Sequence, residues 1–292
     1  MKVHLVDGTY ELFRHFYGMP EEVRGTSQLG GVRGVVDSLL YMLEEGATHV
    51  GVATDHVIES FRNDMWPTYK SSAGMDPAIV AQFGPLETAL SALGVAVWAM
   101  TDVEADDALA SAAAVVADDP SVDQVLICTP DKDLAQCVRG THVVQYDRRK
   151  RMLVDEAGVI EKYGVPPESI PDWLALVGDS SDGYPGLPGW GAKTAAAVLT
   201  AHGHIANIPD HPGQWLATVR GAPKLAAVLA EGREAAELFL DLATLRIDRT
   251  LVSSAAELAW TGPTKDFATV ASELGTPGMV ARAQRLAATR FR

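Results

Sequence analysis

A chain of 292 residues with 47% hydrophobic and 21% charged side chains can bury a sizeable core and does not match the disordered class. Its longest apolar stretches, such as 108–117 and 122–128, fall well short of the roughly 20 residues a membrane-spanning helix needs. The two cysteines, Cys128 and Cys137, have no Cys-x-x-Cys spacing, so no disulfide framework or zinc-thiolate site is supported, and a net charge of −14 opposes a polyanionic partner unless the acids are gathered for a purpose.

In chain order, Val3 to Val6 reads as a strand ending in Asp7 and not as a signal peptide, which suits a cytoplasmic protein outside any membrane. Helical periodicity follows over Tyr10 to Tyr17 and Val32 to Leu43, then a strand over Val50 to Ala53. A helix opened by Asp76-Pro77 is expected over Ile79 to Leu93, a strand over Val95 to Trp98, and an alanine-rich helix over Ala105 to Val116. Val122 to Cys128 and His142 to Tyr146 complete the strands, with Arg148-Arg149-Lys150-Arg151 as a turn beyond them. Strands alternating with helices imply an α/β fold with a mostly parallel sheet flanked by helices. From about Asp155 the pattern turns helical, interrupted by a Gly- and Pro-rich stretch over 183–191.

Each of the first four apolar runs ends at or just before acidic residues: Asp7, Asp55, then Glu104, Asp106 and Asp107, then Asp131 and Asp133. A further pair, Asp179 and Asp182, lies in Gly178-Asp-Ser-Ser-Asp-Gly183. The carboxyl ends of parallel strands share one edge of a sheet, so these acids are expected to converge. Bare carboxylates about 4 Å apart repel by roughly 4 kcal/mol at an effective dielectric near 20, and cations relieve that repulsion. An all-oxygen set without histidine or thiolate suits Mg²⁺ or Mn²⁺. The alternative for any single position is a helix cap or turn residue.

In order, Leu5-Val6-Asp7-Gly8, Ser60-Phe61-Arg62 through Tyr69-Lys70, Glu104-Ala-Asp106-Asp107, Asp131-Lys-Asp133, and Gly178-Asp179-Ser-Ser-Asp182 through Gly186-Leu-Pro-Gly189-Trp-Gly191-Ala-Lys193-Thr194 resemble the 5′ nuclease family of flap endonucleases and bacterial 5′-3′ exonucleases. The resemblance implies a PIN-like α/β nuclease domain over 1–154 with a helical arch at about 62–94. It also implies a helical region over 155–292 carrying a helix-three-turn-helix DNA-binding segment at about 172–200. By the same likeness the nine carboxylates match metal-site acids holding two or more Mg²⁺ or Mn²⁺ ions, Lys70 faces the scissile phosphate, and Arg62 assists unless it forms an exposed ion pair. The implied partners are flapped, nicked or 5′-ended duplex DNA and RNA primers, bound by a monomer. Gly186, Gly189, Gly191, Lys193 and Thr194 match the phosphate grip, which in the family also holds a monovalent cation such as K⁺.

Two departures stand out. Ala73 occupies a position where the family often carries arginine, and no Lys or Arg occurs from Ser71 through Asp131. That neutral to acidic stretch motivates a second reading, a DNA-junction binding protein with weak or no nuclease activity. Three minor expectations concern Trp66, which stacks on a base or packs internally, Gly203, which stops a helix, and the arginines 282, 285, 290 and 292, which follow duplex phosphate or complement a helix dipole.

Overall fold

The structure, a computed structural model, describes residues 1–24 and 28–290. In chain order the elements are β1 (Lys2–Asp7), α1 (Gly8–Tyr17), α2 (Glu21–Arg24), α3 (Gly30–Glu44), β2 (His49–Asp55), α4 (Arg62–Met65), α5 (Pro77–Val80), α6 (Phe83–Leu93), β3 (Ala96–Met100), α7 (Ala105–Val116) and β4 (Gln124–Cys128). They continue with β5 (Val143–Asp147), β6 (Met152–Val154), α8 (Glu156–Tyr163), α9 (Ile170–Val177), α10 (Ala192–His202), α11 (Ala222–Glu231), α12 (Arg233–Ala243), α13 (Phe267–Glu273) and α14 (Gly278–Arg290). Two compact units divide the chain: unit 1 takes Met1–Ile58, Ser72–Thr129 and Ile247–Arg292, and unit 2 takes Glu59–Ser71 and Pro130–Arg246. Among the described residues no helix is long and apolar enough to cross a membrane.

Unit 1 is built on four parallel strands in the order β3-β2-β1-β4. Strands β1 and β4 are apolar runs of Val, Leu and Ile that bury nearly every side chain, as expected of strands covered on both faces. Helix α7 runs against β1, β2 and β3, and its alanines are buried almost all the way round, so it lies close on the sheet. Helices α1, α3 and α6 pack on one another, and α13 and α14 add to α6 and α3.

The continuous helix expected over Ile79 to Leu93 is instead two helices, α5 and α6. Pro85 sits in the first turn of α6, where its ring would collide with the carbonyl of Ala81 in an unbroken helix. The break points Gln82 inward, fully buried, with Oε1 accepting from the Gly31 and Val32 amides at 2.9 and 3.2 Å. Gln82 thus caps α3, whose own preceding residue, Leu29, supplies no side-chain cap.

Unit 2 joins the antiparallel hairpin β5–β6, turned through residues 148–151, to a helical bundle around α9, α10 and α12. Its core includes Ile170, Leu174, Leu176, Val198, Leu199 and Phe239. Trp66 belongs to this core rather than to a stacking surface: its ring lies 5.2 Å from that of Phe239, and its Nε1 donates to the Gly183 carbonyl at 3.0 Å. Helix α10 ends at His202 with Gly203 at φ +77°, the expected stop.

Arg282 and Arg290 are committed inside unit 1. Arg282 pairs with Asp37 and Glu44, while Arg290 donates to the Leu43 and Ala47 carbonyls at 2.7 and 2.8 Å. Arg290 thus stands in the last turn of its own helix, as the dipole expectation has it, and also caps the carbonyl end of α3. Arg285 is exposed, and Arg292 lies outside the described residues.

Candidate metal centre and nucleic-acid-binding loop

The nine carboxylates fall into two sets, one in each unit. In unit 1, Asp7 closes β1 and caps α1, its Oδ1 accepting from the Tyr10 amide at 2.8 Å and its Oδ2 from the Thr129 hydroxyl at 3.0 Å. Asp55 closes β2; its Oδ1 accepts the Ala105 amide at 2.8 Å, and its own amide donates to Thr9 Oγ1 at 2.9 Å. Glu104 and Asp107 form a capping box on α7, and half-buried Asp106 lies in the same first turn. Cap and ligand readings thus meet in the same residues. As caps they are unusually dry: Asp7, Glu104 and Asp107 retain only 6, 3 and 2% exposure.

Unit 2 gathers the other four. Asp131 and Asp133 lie at the start of the 3₁₀ turn Asp133–Cys137, with Asp131 exposed and its Oδ1 accepting from the Asp133 amide at 3.1 Å. Asp179 and Asp182 occupy the tight turn after α9, closed by Asp179 N–H to Tyr184 O at 2.8 Å and Tyr184 N–H to Asp179 O at 3.1 Å. Gly183 is essential to that turn: at φ +85°, a Cβ there would stand 2.0 Å from the Thr68 carbonyl oxygen. Among the described residues, Asp133, Asp179 and Asp182 are the three acids whose ligand oxygens all lie within 4.8 Å of one another.

The chemistry of this set fits a hard divalent cation. Asp133 is buried and its Oδ1 has no hydrogen-bond partner, an orphan that protein interiors rarely tolerate. Burial, and then the charges of Asp131, Asp182 and Asp179, push the Asp133 carboxyl well above the usual carboxylate range. An oxygen-only set of crowded acids with an unsatisfied oxygen is the donor arrangement that Mg²⁺ or Mn²⁺ takes.

Two lysines reach into the set. Lys70 Nζ lies 3.4 Å from Asp182 Oδ1, and its amide donates to the Asp182 carbonyl at 3.0 Å. Lys132 Nζ lies 2.6 Å from Asp179 Oδ2. Burial acts to lower the Lys132 ammonium, but the hydrogen bond to Asp179 and the surrounding negative charge outweigh it and hold the group above its ordinary value. Sequence reasoning alone misses Lys132, whose only signal is its place between two expected ligands. It also misses Tyr184, a buried side chain whose hydroxyl is held far above its ordinary value by burial and then by Asp133, Asp182 and Asp179.

Arg62 does not form the exposed ion pair expected as its alternative. It is 1% exposed, and its guanidinium donates to the Leu242 and Thr244 carbonyls at 2.8 and 3.2 Å and lies over the Phe61 ring.

The loop before α10 combines two kinds of glycine. Gly186, at φ +67°, is packed so closely that a Cβ would meet the Gly178 nitrogen at 2.3 Å, so it serves the turn itself. Gly189 also has a positive φ, and Gly191 stands in open space as the residue before α10, with no side-chain cap on that helix. Lys193 is exposed and Thr194 half-buried in the first turn. An uncapped helix start beside an exposed lysine is suited to an anion.

Comparison with known proteins places this architecture. The 5′-3′ exonuclease N-terminal resolvase-like domain matches residues 2–164, and the 5′-3′ exonuclease C-terminal SAM fold matches residues 165–266. The chain belongs to the 5′-3′ exonuclease family, a family of nucleases. Among its relatives, DNA polymerase I of Pseudomonas aeruginosa is 36% identical over 257 residues, which is 84% of this chain but 27% of that protein. A 5′-3′ exonuclease of Buchnera aphidicola subsp. Baizongia pistaciae is 32% identical over 207 residues, covering 70% of this chain and 68% of the relative. The fold is shared with zinc-bound T5 5′-exonuclease, at 20% identity and TM-score 0.66 over 97% of this chain and 99% of that one. It is also shared with the catalytic core of Rad2 in complex with DNA substrate, at 14% identity and TM-score 0.62 over 98% and 92% of the two chains.

Proposed function

We propose that the chain is a divalent-metal-dependent 5′ nuclease, a flap endonuclease and 5′-3′ exonuclease that hydrolyses phosphodiesters in flapped or nicked DNA. The observation that carries this reading is the Asp133, Asp179 and Asp182 set, with the orphaned Asp133 oxygen at its heart and Lys70 at its edge. Asp131, Asp133, Asp179 and Asp182 in unit 2 would hold Mg²⁺ or Mn²⁺, which would supply Lewis-acid stabilisation and an activated water; Asp7, Asp55, Glu104, Asp106 and Asp107 are assigned as metal-site acids of unit 1. Lys70, 29% exposed, offers a point positive charge to a phosphate beside Asp182. Gly189, Gly191, Lys193 and Thr194 take a backbone phosphate at the start of α10, a contact that positions nucleic acid without reading sequence. Arg62 acts from the interior of unit 2 by holding the Leu242 and Thr244 carbonyls at the end of α12 rather than by touching substrate. The PIN-like nuclease domain is assigned to 1–154 and the helical region with the DNA grip, which also lends Asp179 and Asp182 to the acidic set, to 155–292, in a monomer acting in the cytoplasm on DNA and on RNA primers. The K⁺ assigned to the loop rests on the resemblance alone.

A second reading, junction binding with weak or no catalysis, is favoured by one observation, the lack of any Lys or Arg from Ser71 through Asp131. A 5′-labelled flap substrate incubated with Mg²⁺ or Mn²⁺ separates the two. The nuclease reading expects metal-dependent product, lost in Asp131→Asn and reduced about 10²–10³-fold in Lys70→Ala. Tight binding with no metal-dependent product assigns the chain to the second reading.

A further inference from the structure

Lys132 stands within the acidic centre of unit 2, and we infer that it is a resident counter-cation that competes with the divalent ion for Asp179 and so limits how tightly the centre holds metal. The inference rests on the metal-binding reading above. Its starting point is the occupancy of the ligand oxygens. Asp179 Oδ2 is taken by Lys132 Nζ at 2.6 Å and Oδ1 by the Ser181 amide at 2.9 Å, whereas Asp133 Oδ1 has no partner. Asp133 is therefore open to an ion as it stands, while at Asp179 the ammonium shares Oδ2 with any ion that the carboxylate takes. The Ser181 amide orients Asp179 without help from Lys132, so the lysine is not needed to build the turn.

Charge explains why a lysine belongs there. Asp131, Asp133, Asp179 and Asp182 face Lys70 and Lys132, with Lys162 in electrostatic reach of Asp131, so the carboxylates outnumber the ammonium groups around them. Loss of Lys132 makes the centre one charge more negative. Lysine also suits a yielding partner: its ammonium is a compact charge on a flexible stem, and this side chain is 30% exposed, with a path to water. A unit positive charge a few ångströms from a divalent ion opposes binding by more than about tenfold at an effective dielectric near 20.

Calorimetric titration of the full chain with Mn²⁺, without nucleic acid, tests this. Lys132→Gln is expected to bind Mn²⁺ about tenfold tighter or more, and Lys132→Arg, which keeps the charge, to bind as the wild type does. Equal or weaker binding by Lys132→Gln overturns the inference. A second measurement does not depend on that variant folding: in wild-type protein carrying ¹³C-lysine, Mg²⁺ should move the Lys132 ε resonance, identified by its loss in Lys132→Arg. A resonance that stays still under saturating Mg²⁺ overturns it equally. Absence of any saturable Mn²⁺ binding in the wild type removes the metal reading itself and this inference with it, whereas tight wild-type binding unchanged by Lys132→Gln removes the inference alone.

Discussion

Asp133 is the most informative single residue in the molecule. Its carboxylate is buried, surrounded by Asp131, Asp179 and Asp182, and left with an unpartnered oxygen. A carboxyl whose pKa is raised in the folded state destabilises that state whenever it is ionised, so near neutral pH and without metal it opposes folding. Asp133→Asn is therefore expected to raise the melting temperature in chelator, by roughly 2–4 °C for each kcal/mol of repulsion relieved. The same substitution should abolish most of the stabilisation that millimolar Mn²⁺ gives the wild type. Differential scanning calorimetry in chelator and in Mn²⁺ reads both effects, and a lower melting temperature in chelator would contradict this account of the site. Seven of the acidic residues are legible in the sequence because they recur at or just after strand ends, whereas Asp179 and Asp182 follow a helix and are marked only by their Gly178–Gly183 motif. The partners of these acids are not legible: the Lys132 contact with Asp179 and the Thr129 contact with Asp7 join residues far apart in the chain, and no local pattern marks them.

Elements were read well where one period dominates. The alanine-rich run over Ala105 to Val116 became α7 with the expected bounds, and strands β1, β2 and β4 lie on their apolar runs. The reading failed where a single residue overrides the period, as Pro85 does in splitting α5 from α6, and where an element is short, as β6 is. The turn after α9 shows how such local geometry sets the site. Gly183→Ala must force a Cβ against the Thr68 carbonyl in a left-handed conformation, at a cost of about 2–4 kcal/mol, and it should loosen Asp179 and Asp182 together. Gly191→Ala, in open space at φ −103°, should change stability by less than about 1 kcal/mol. Urea denaturation of the two variants, with and without Mn²⁺, tests the contrast; comparable losses would show that the close approach to Thr68 does not govern the turn.

At the scale of the whole molecule, a net charge of −14 sets the terms on which the proposed nuclease would meet DNA. Counterion release needs protein cations, and the long stretch from Ser71 through Asp131 offers none, so affinity must lean on bound divalent ions and on the few exposed cations such as Lys193. Flap-DNA affinity, measured by fluorescence anisotropy, should therefore rise at least about tenfold when millimolar Ca²⁺ replaces chelator at constant ionic strength, a larger response than screening alone provides. An affinity indifferent to Ca²⁺ would mean that the acids repel DNA and something else attracts it.

The return of the chain from Ile247 onward to unit 1 has no signature in local patterning, because Arg290 grips α3 and Trp260 donates to the Leu93 carbonyl across most of the sequence. That return has a consequence for biogenesis. A ribosome delivers residues in order, so the parallel strands leave the exit tunnel long before the helix that clamps α3 exists. Unit 2 is fully synthesised once Arg246 emerges, while the strands of unit 1 still wait for residues 247–290. The nascent chain thus carries these strands through the synthesis of unit 2 without the segment that covers them, and it is there that a holdase would find apolar surface to shield.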